Sequence, residues 1–152
     1  MDSQNSNRER DSQSKIQNRK AKIENDIMSV KCTRAFVTLA ATDFDLLVDF
    51  YFSLLGRDPK IYLGNVYAEF QLPGLRLAIF NPRASHKREF ANSNGNSGMS
   101  ICLEVANLET AITHLTVMGY PPQGDIKIAS HGREIYAYDP ENNRLILHQT
   151  PK

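Results

Sequence analysis

One supersecondary pattern occurs twice in this 152-residue chain, and the repetition limits the fold more than any other feature. In the first copy, Arg34–Ala41 is rich in β-formers and reads as a strand. Asp43 then offers a helix N-cap. Phe44, Leu47, Val48, Tyr51, Leu54 and Leu55 follow at helical spacing, and Gly56, with Pro59 beyond it, stops the helix. Three strand signals come next, at about 59–63, 66–71 and 75–80, the last two joined through Pro73-Gly74. The second copy keeps this order. Met99–Val105 is a strand, and Asn107 caps a helix carrying Leu108, Ala111, Ile112, Leu115 and Met118. Gly119 ends that helix before Pro121-Pro122, and strands are expected at about 125–129, 133–138 and 143–149. Asp43 and Asn107 lie 64 positions apart, Gly56 and Gly119 63, and Arg76 and Arg144 68. The spacing predicts one α+β domain over 31–152 built of two βαβββ modules, module one over 33–80 and module two over 99–150, joined by a linker at 81–98.

Residues 1–30 stand apart. Ten of the first twenty are Ser, Asn or Gln, and Ile16 is the only apolar residue among them after Met1. Such a segment buries too little to offset its chain entropy, so a disordered polar tail is expected. Ile16, Ile23 and Ile27 could line only a weak stripe for docking on a partner. Charge narrows the function classes. The formal net charge is +1, and tail and body are each nearly neutral, which argues against a nucleic-acid partner held by a strong basic field. No apolar run approaches the roughly 18 residues needed to span a bilayer, and no membrane partner is expected. The acidic, apolar-poor N-terminus does not read as a targeting segment. Two cysteines, Cys32 and Cys102, make no disulfide scaffold, and a reducing, cytoplasmic setting is the expectation.

Adjacent strand residues point to opposite faces. Val37, Leu77, Ile79, Ile101, Leu103, Leu145 and Leu147 form aliphatic faces that should lie under the helices. The opposite faces carry Phe36, Thr38, Arg76, Ala78, Phe80, Ser100, Cys102, Glu104, Arg144, Ile146 and His148. A mixed face inside a curved sheet is a reasonable ligand lining.

The sequence resembles the vicinal oxygen chelate superfamily, which includes glyoxalase I, bleomycin-resistance proteins and extradiol dioxygenases. The resemblance rests on Thr42-Asp43-Phe44, Phe50-Tyr51 and Leu54-Leu55-Gly56. It rests also on Leu103–Glu109, Met118-Gly119-Tyr120 and Tyr138–Leu147, all placed in order on the paired repeat. It implies a cupped mixed β-sheet of two βαβββ modules, often within a homodimer. It also implies that catalytic members hold a divalent metal through His or Glu/Gln side chains, one from each of four strands. Mapped onto this chain, those positions are Phe36, Ala78, Ser100 and Ile146. Three have no donor atom, and neutral Ser is a poor sole ligand. The resemblance therefore implies the fold without the metal, and no cofactor is expected.

The reading that follows is a metal-free protein binding a small, partly apolar molecule in the cup, lined by Phe36, Thr38, Arg76, Ser100, Glu104, Tyr136 and His148. Arg76 and Arg144 occupy equivalent repeat positions and could clamp an anion or pair with Glu104. His148 could act as a base near neutral pH, and Tyr136 and Tyr138 could stack on a planar ligand. His131, in the turn Ser130-His131-Gly132, could serve on a lid, whereas Cys102 reads as a packed thiol. Two other classes stay open. One is a lyase, isomerase or dioxygenase with a relocated metal site or metal-independent chemistry. The other is a protein-interaction module that uses the N-terminal segment.

Overall fold

A computed structural model describes residues 2–25, 30–91 and 97–151 and divides into two compact units, Met1–Ala35 and Phe36–Lys152. The first unit holds helix α1, Asp2–Asn25, where the composition leads one to expect no fixed structure. The local reason for a helix is plain. The stretch contains neither Gly nor Pro, and Lys15 pairs with Asp11 one turn away at 2.6 Å. Residues 7–20 are exposed throughout, so this helix buries no apolar stripe of its own there; Ile27 of the expected stripe lies outside the described residues.

The second unit is α+β and carries the repeat. Module one runs β1 (Val37–Ala40), α2 (Phe44–Leu55), β2 (Ile61–Leu63), β3 (Tyr67–Leu72) and β4 (Leu75–Phe80). Module two runs β5 (Ile101–Glu104), α3 (Leu108–Val117), β6 (Lys127–Ala129), β7 (Gly132–Tyr138) and β8 (Arg144–Gln149). The segment between them, expected as a plain linker, contains a short 3₁₀ helix, Ala84–Phe90. Each module makes a four-stranded mixed sheet, ordered β1-β4-β3-β2 and β5-β8-β7-β6. The module-opening strand runs parallel to the closing strand in each, and the rest are antiparallel. Both opening strands are therefore sheet edges. The Ala41 amide donates to the Phe80 carbonyl and the Val105 amide to His148. The period of two then turns the backbone groups of Thr38 and Ala40, and of Cys102 and Glu104, away from the partner strand.

The helices start and stop where the sequence signals lie. Asp43 accepts from the Leu46 amide at 3.1 Å, and Asn107 from the Thr110 amide at 2.8 Å. Gly56 closes α2 at φ 61°, in the left-handed region, with its amide on the Phe52 carbonyl. The aliphatic strand faces are the buried ones: Leu77, Ile79, Leu145 and Leu147 join Leu47, Tyr51, Phe70, Leu108 and Leu115 in one core.

That core spans both modules, and polar ties lock it. The Tyr51 hydroxyl of α2 donates to Asp139 at 2.9 Å. Asp139 also accepts from the Glu141 and Asn143 amides and from the Asn143 side chain, each at 2.8–2.9 Å. Burial pushes the Asp139 carboxyl up, against the pull of these donors, and keeps the Tyr51 hydroxyl protonated. Glu141 receives the Thr42 and Asp43 amides at the N-terminus of α2, where a negative charge is favoured. Phe50 meets Tyr120 edge to face at 4.9 Å. Replacing Tyr51 by Phe removes one donor from a buried acceptor. It is expected to cost about 1–3 kcal/mol, measured as a shift in denaturation midpoint. A shift within a few tenths would mean that the tie carries no weight.

Candidate functional site

The positions to which the resemblance assigns metal ligands are filled by other chemistry. Phe36 precedes β1 and lies under the Arg76 guanidinium, whose carbon is 4.0 Å from the ring centroid. Ser100 precedes β5, and its hydroxyl accepts from Arg144 Nε at 2.7 Å. Arg144 also reaches the Ser97 and Met99 carbonyls, at 2.7 and 3.5 Å. Ala78 is fully buried, and Ile146 lies beside Cys102 in the parallel register. The equivalent arginines of the two closing strands thus bring a guanidinium to each module-opening position, paired in module one with Glu69. Among the described residues, no group of three or more His, Cys, Asp or Glu gathers to hold a metal. This donor set does not fit the metal that the fold implies.

Three places on the second unit concentrate polar chemistry. The first is a cavity of about 780 Å³ bounded by β1, the 82–91 segment, 97–101 and the turn before β8. That volume suits a small ligand. Leu39, Pro82, Phe90, Met99 and Ile101 make its walls apolar, and Thr38, Lys87, Ser100 and Arg144 supply donors.

The second is the open face of module one. Here Glu69, 6% exposed, sits beside Arg76 at 3.7 Å and accepts from the Tyr67 hydroxyl at 2.7 Å. Burial, then Glu69, pushes the Tyr67 hydroxyl up. Glu69 was not singled out in the sequence, although Tyr67, Glu69 and Gln71 alternate with the buried Ala68, Phe70 and Leu72.

The third is the open face of module two. His148 Nδ1 lies 2.5 Å from Glu104, and His148 Nε2 lies 3.1 Å from His131 Nδ1. The hydrogen bonds from the Thr150 hydroxyl, and then from His148, hold Glu104 down to about 2. The hydrogen bond to Glu104 raises His148 above the usual imidazole value. Tyr136 bonds Glu134 at 3.2 Å, with the Lys127 ammonium 4.0 Å over its ring. Cys102 is exposed rather than packed, and desolvation with Glu104 and Glu134 raises its thiol, which keeps it protonated.

Of the seven residues expected to line one pocket, the structure places Thr38 and Ser100 on the cavity. Phe36 and Arg76 meet on module one's open face. Glu104 and His148 meet on module two's, where Tyr136 pairs with Ile146, the strand neighbour of Cys102. Glu104 pairs with His148 and neither arginine. His131, expected on a lid, bonds His148.

The geometry defines a paired βαβββ protein with cup-forming sheets, and comparison with solved structures agrees. A glyoxalase/bleomycin resistance protein from Catenulispora acidiphila is 23% identical, with 79% of this chain and 100% of that chain covered and a TM-score of 0.55. The fosfomycin resistance protein FosX from Listeria monocytogenes, complexed with Mn(II) and sulfate, is 17% identical, with 81% and 93% covered and a TM-score of 0.63. A glyoxalase/bleomycin resistance protein/dioxygenase from Nocardioides is 20% identical, with 89% and 94% covered and a TM-score of 0.61. These likenesses establish that the chain has the vicinal oxygen chelate fold expected from its sequence. No family model matches the sequence, and no curated protein matches it. No described helix is long and apolar enough to cross a membrane.

The Glu104–His148 pair makes stability depend on pH with a definite sign. The lowered Glu104 contributes above the ordinary carboxylate range and loses its contribution as pH falls through about 2. The raised His148 contributes below the ordinary imidazole value and loses its contribution as pH rises through its elevated one. The pair is therefore whole from mildly acid to near-neutral pH. The melting temperature is expected to decline shallowly above neutrality, since both groups meet solvent. Glu104→Gln is expected to flatten that decline, and an unchanged slope in the variant would contradict the assignment.

Proposed function

We propose that the second unit is a metal-free binding protein for a small, partly apolar molecule bearing an anionic or acceptor group, working in a reducing, cytoplasmic setting. The observation that carries the reading is the cavity of about 780 Å³, whose apolar walls are interrupted by the Arg144 and Lys87 cations and by the Glu89 and Glu141 carboxylates. The arginine placement supports the reading, because Arg76 lies over Phe36 and Arg144 bonds Ser100, two of the four positions to which the resemblance assigns ligands.

A thermal-shift screen against small carboxylates and phosphates tests this, because a ligand that binds only the folded state raises its stability. For an anionic hit, Lys87→Met or Arg144→Met is expected to weaken binding by about tenfold to a hundredfold, the worth of one charge-assisted hydrogen bond. Added divalent ions should leave the shift unchanged. A stoichiometric divalent metal in protein purified without chelator would overturn the reading.

The proposal includes a second copy of the chain. Phe36, Ile61 and Leu63 on module one's open face are 43%, 40% and 58% exposed, more apolar surface than an isolated sheet face favours. Sedimentation at high concentration should show a dimer, and a monomer alone would remove this part of the proposal.

A further inference from the structure

The acid–base chemistry of the second unit lies away from the cavity, on module two's open sheet face. Glu104 closes β5, and the parallel register sets it directly beside His148 of β8. One Glu104 oxygen accepts from the Thr150 amide at 2.7 Å and from the Thr150 hydroxyl, which fixes the carboxylate. The other faces His148 Nδ1. An ionised carboxylate has no proton to give, so Nδ1 carries the hydrogen, and in the neutral ring, present above the raised His148 value, Nε2 keeps its lone pair. That lone pair meets His131 Nδ1, which must then be the donor. In the neutral tautomer that donates through Nδ1, the lone pair of His131, an exposed residue, sits on the outer Nε2.

Geometry distinguishes this pair from a metal site. The ring centroids are 5.3 Å apart, about the N···N distance plus two ring radii, so the nitrogens point head to head. Two rings sharing one tetrahedral ion would instead converge at an angle. Gly132 makes the approach possible. A Cβ there would stand 2.8 Å from His148 Nε2 and 2.3 Å from the Gln149 carbonyl oxygen, and its φ of 141° suits glycine.

We propose that Glu104, His148 and His131 form a proton-accepting site for a weakly acidic small molecule such as a phenol, an enol or a thiol. His131 touches the ligand, and His148 and Glu104 are positioning residues. The step balances. The ligand X–H bond breaks, its electron pair stays on X, and His131 Nε2 gains the proton. The Nδ1 proton of His131 passes to His148 Nε2, and the charge rests on a His148 imidazolium against ionised Glu104. Glu134, paired with His148 from β7, adds a second negative charge, and Lys127, paired with Glu134 from β6, partly offsets it. None of the three proposed residues lines the cavity, so the site stands or falls separately from the binding reading above.

The probe is 4-nitrophenol, whose anion absorbs visible light. With excess full-length protein, its ionisation curve is expected to move to lower pH, and His131→Gln to return it to the free-solution curve. Glu104→Gln is expected to reduce the shift. A second readout is acylation by diethyl pyrocarbonate, which attacks unprotonated imidazole nitrogens, mapped by mass spectrometry. His131 should react faster than the exposed His86, and Glu104→Gln should bring it down to the His86 rate. An unshifted phenol curve in the wild type, or a His131 rate no greater than that of His86, overturns the proposal. So does a phenol shift that survives His131→Gln.

Discussion

The Tyr51–Asp139 hydrogen bond is the tie on which the second unit's arrangement depends. Asp139 is 3% exposed, and burying a carboxylate is costly unless donors replace the lost water. Its own turn provides three of them, the Glu141 and Asn143 amides and the Asn143 side chain. The fourth comes from α2 of the other module, 88 positions away. Module two therefore reaches its lowest energy only with module one's helix in place. Glu141, two residues on, holds the first amides of that same helix, and His114 of α3 meets the Ser53 carbonyl at 2.8 Å. The apolar faces are consumed by this helix-side packing, which leaves the mixed faces and the edges of β1 and β5 for other uses.

That allocation explains how the fold can be kept whatever donors the open faces carry. A metal site needs convergent donors and local negative potential. Here the side chains that converge at the module openings are guanidinium groups, on an aromatic ring in one module and a hydroxyl in the other. The backbone requires only alternation, caps and a shared core, and all of these survive any side chain on the open faces. Similar structures below a quarter identity can therefore share the frame and differ wholly in what the frame holds.

The frame was legible in the sequence because its determinants are local. Asp43, Asn107 and Gly56 act within one helical turn, and the period of two assigned Leu77, Ile79, Leu145 and Leu147 to the core without knowledge of any partner. The open faces were legible only as sets. Alternation put Glu104 and His148 on one face, but the parallel register that sets them side by side depends on where β5 meets β8, which no local signal states. The expected partners of Glu104, the arginines, were taken by Ser100 and Glu69. Glu69 gave no signal because a lone Glu in an alternating strand reads as solvent-facing, and its partners Tyr67 and Arg76 are set by the β3–β4 pairing. The N-terminal helix shows the reverse case, where composition alone weighed against the structure that a Gly- and Pro-free stretch adopts.

The register also shows how two copies of one frame diverge. Ala40 pairs with Phe80 in module one at the place where Glu104 pairs with His148 in module two. In module one the pair is apolar, and Phe80 meets Phe90 of the connecting segment edge to face at 5.0 Å, beside the cavity wall. In module two the same two backbone positions hold a carboxylate–imidazole pair fixed by Thr150 and extended by His131. The difference costs the fold little, because both positions lie off the shared core. It decides chemistry, because an apolar pair can only shape a cavity wall, whereas a carboxylate–imidazole pair can move a proton. Duplication supplied equivalent sites, and the side chains at one register position assign apolar shape to one module and acid–base chemistry to the other.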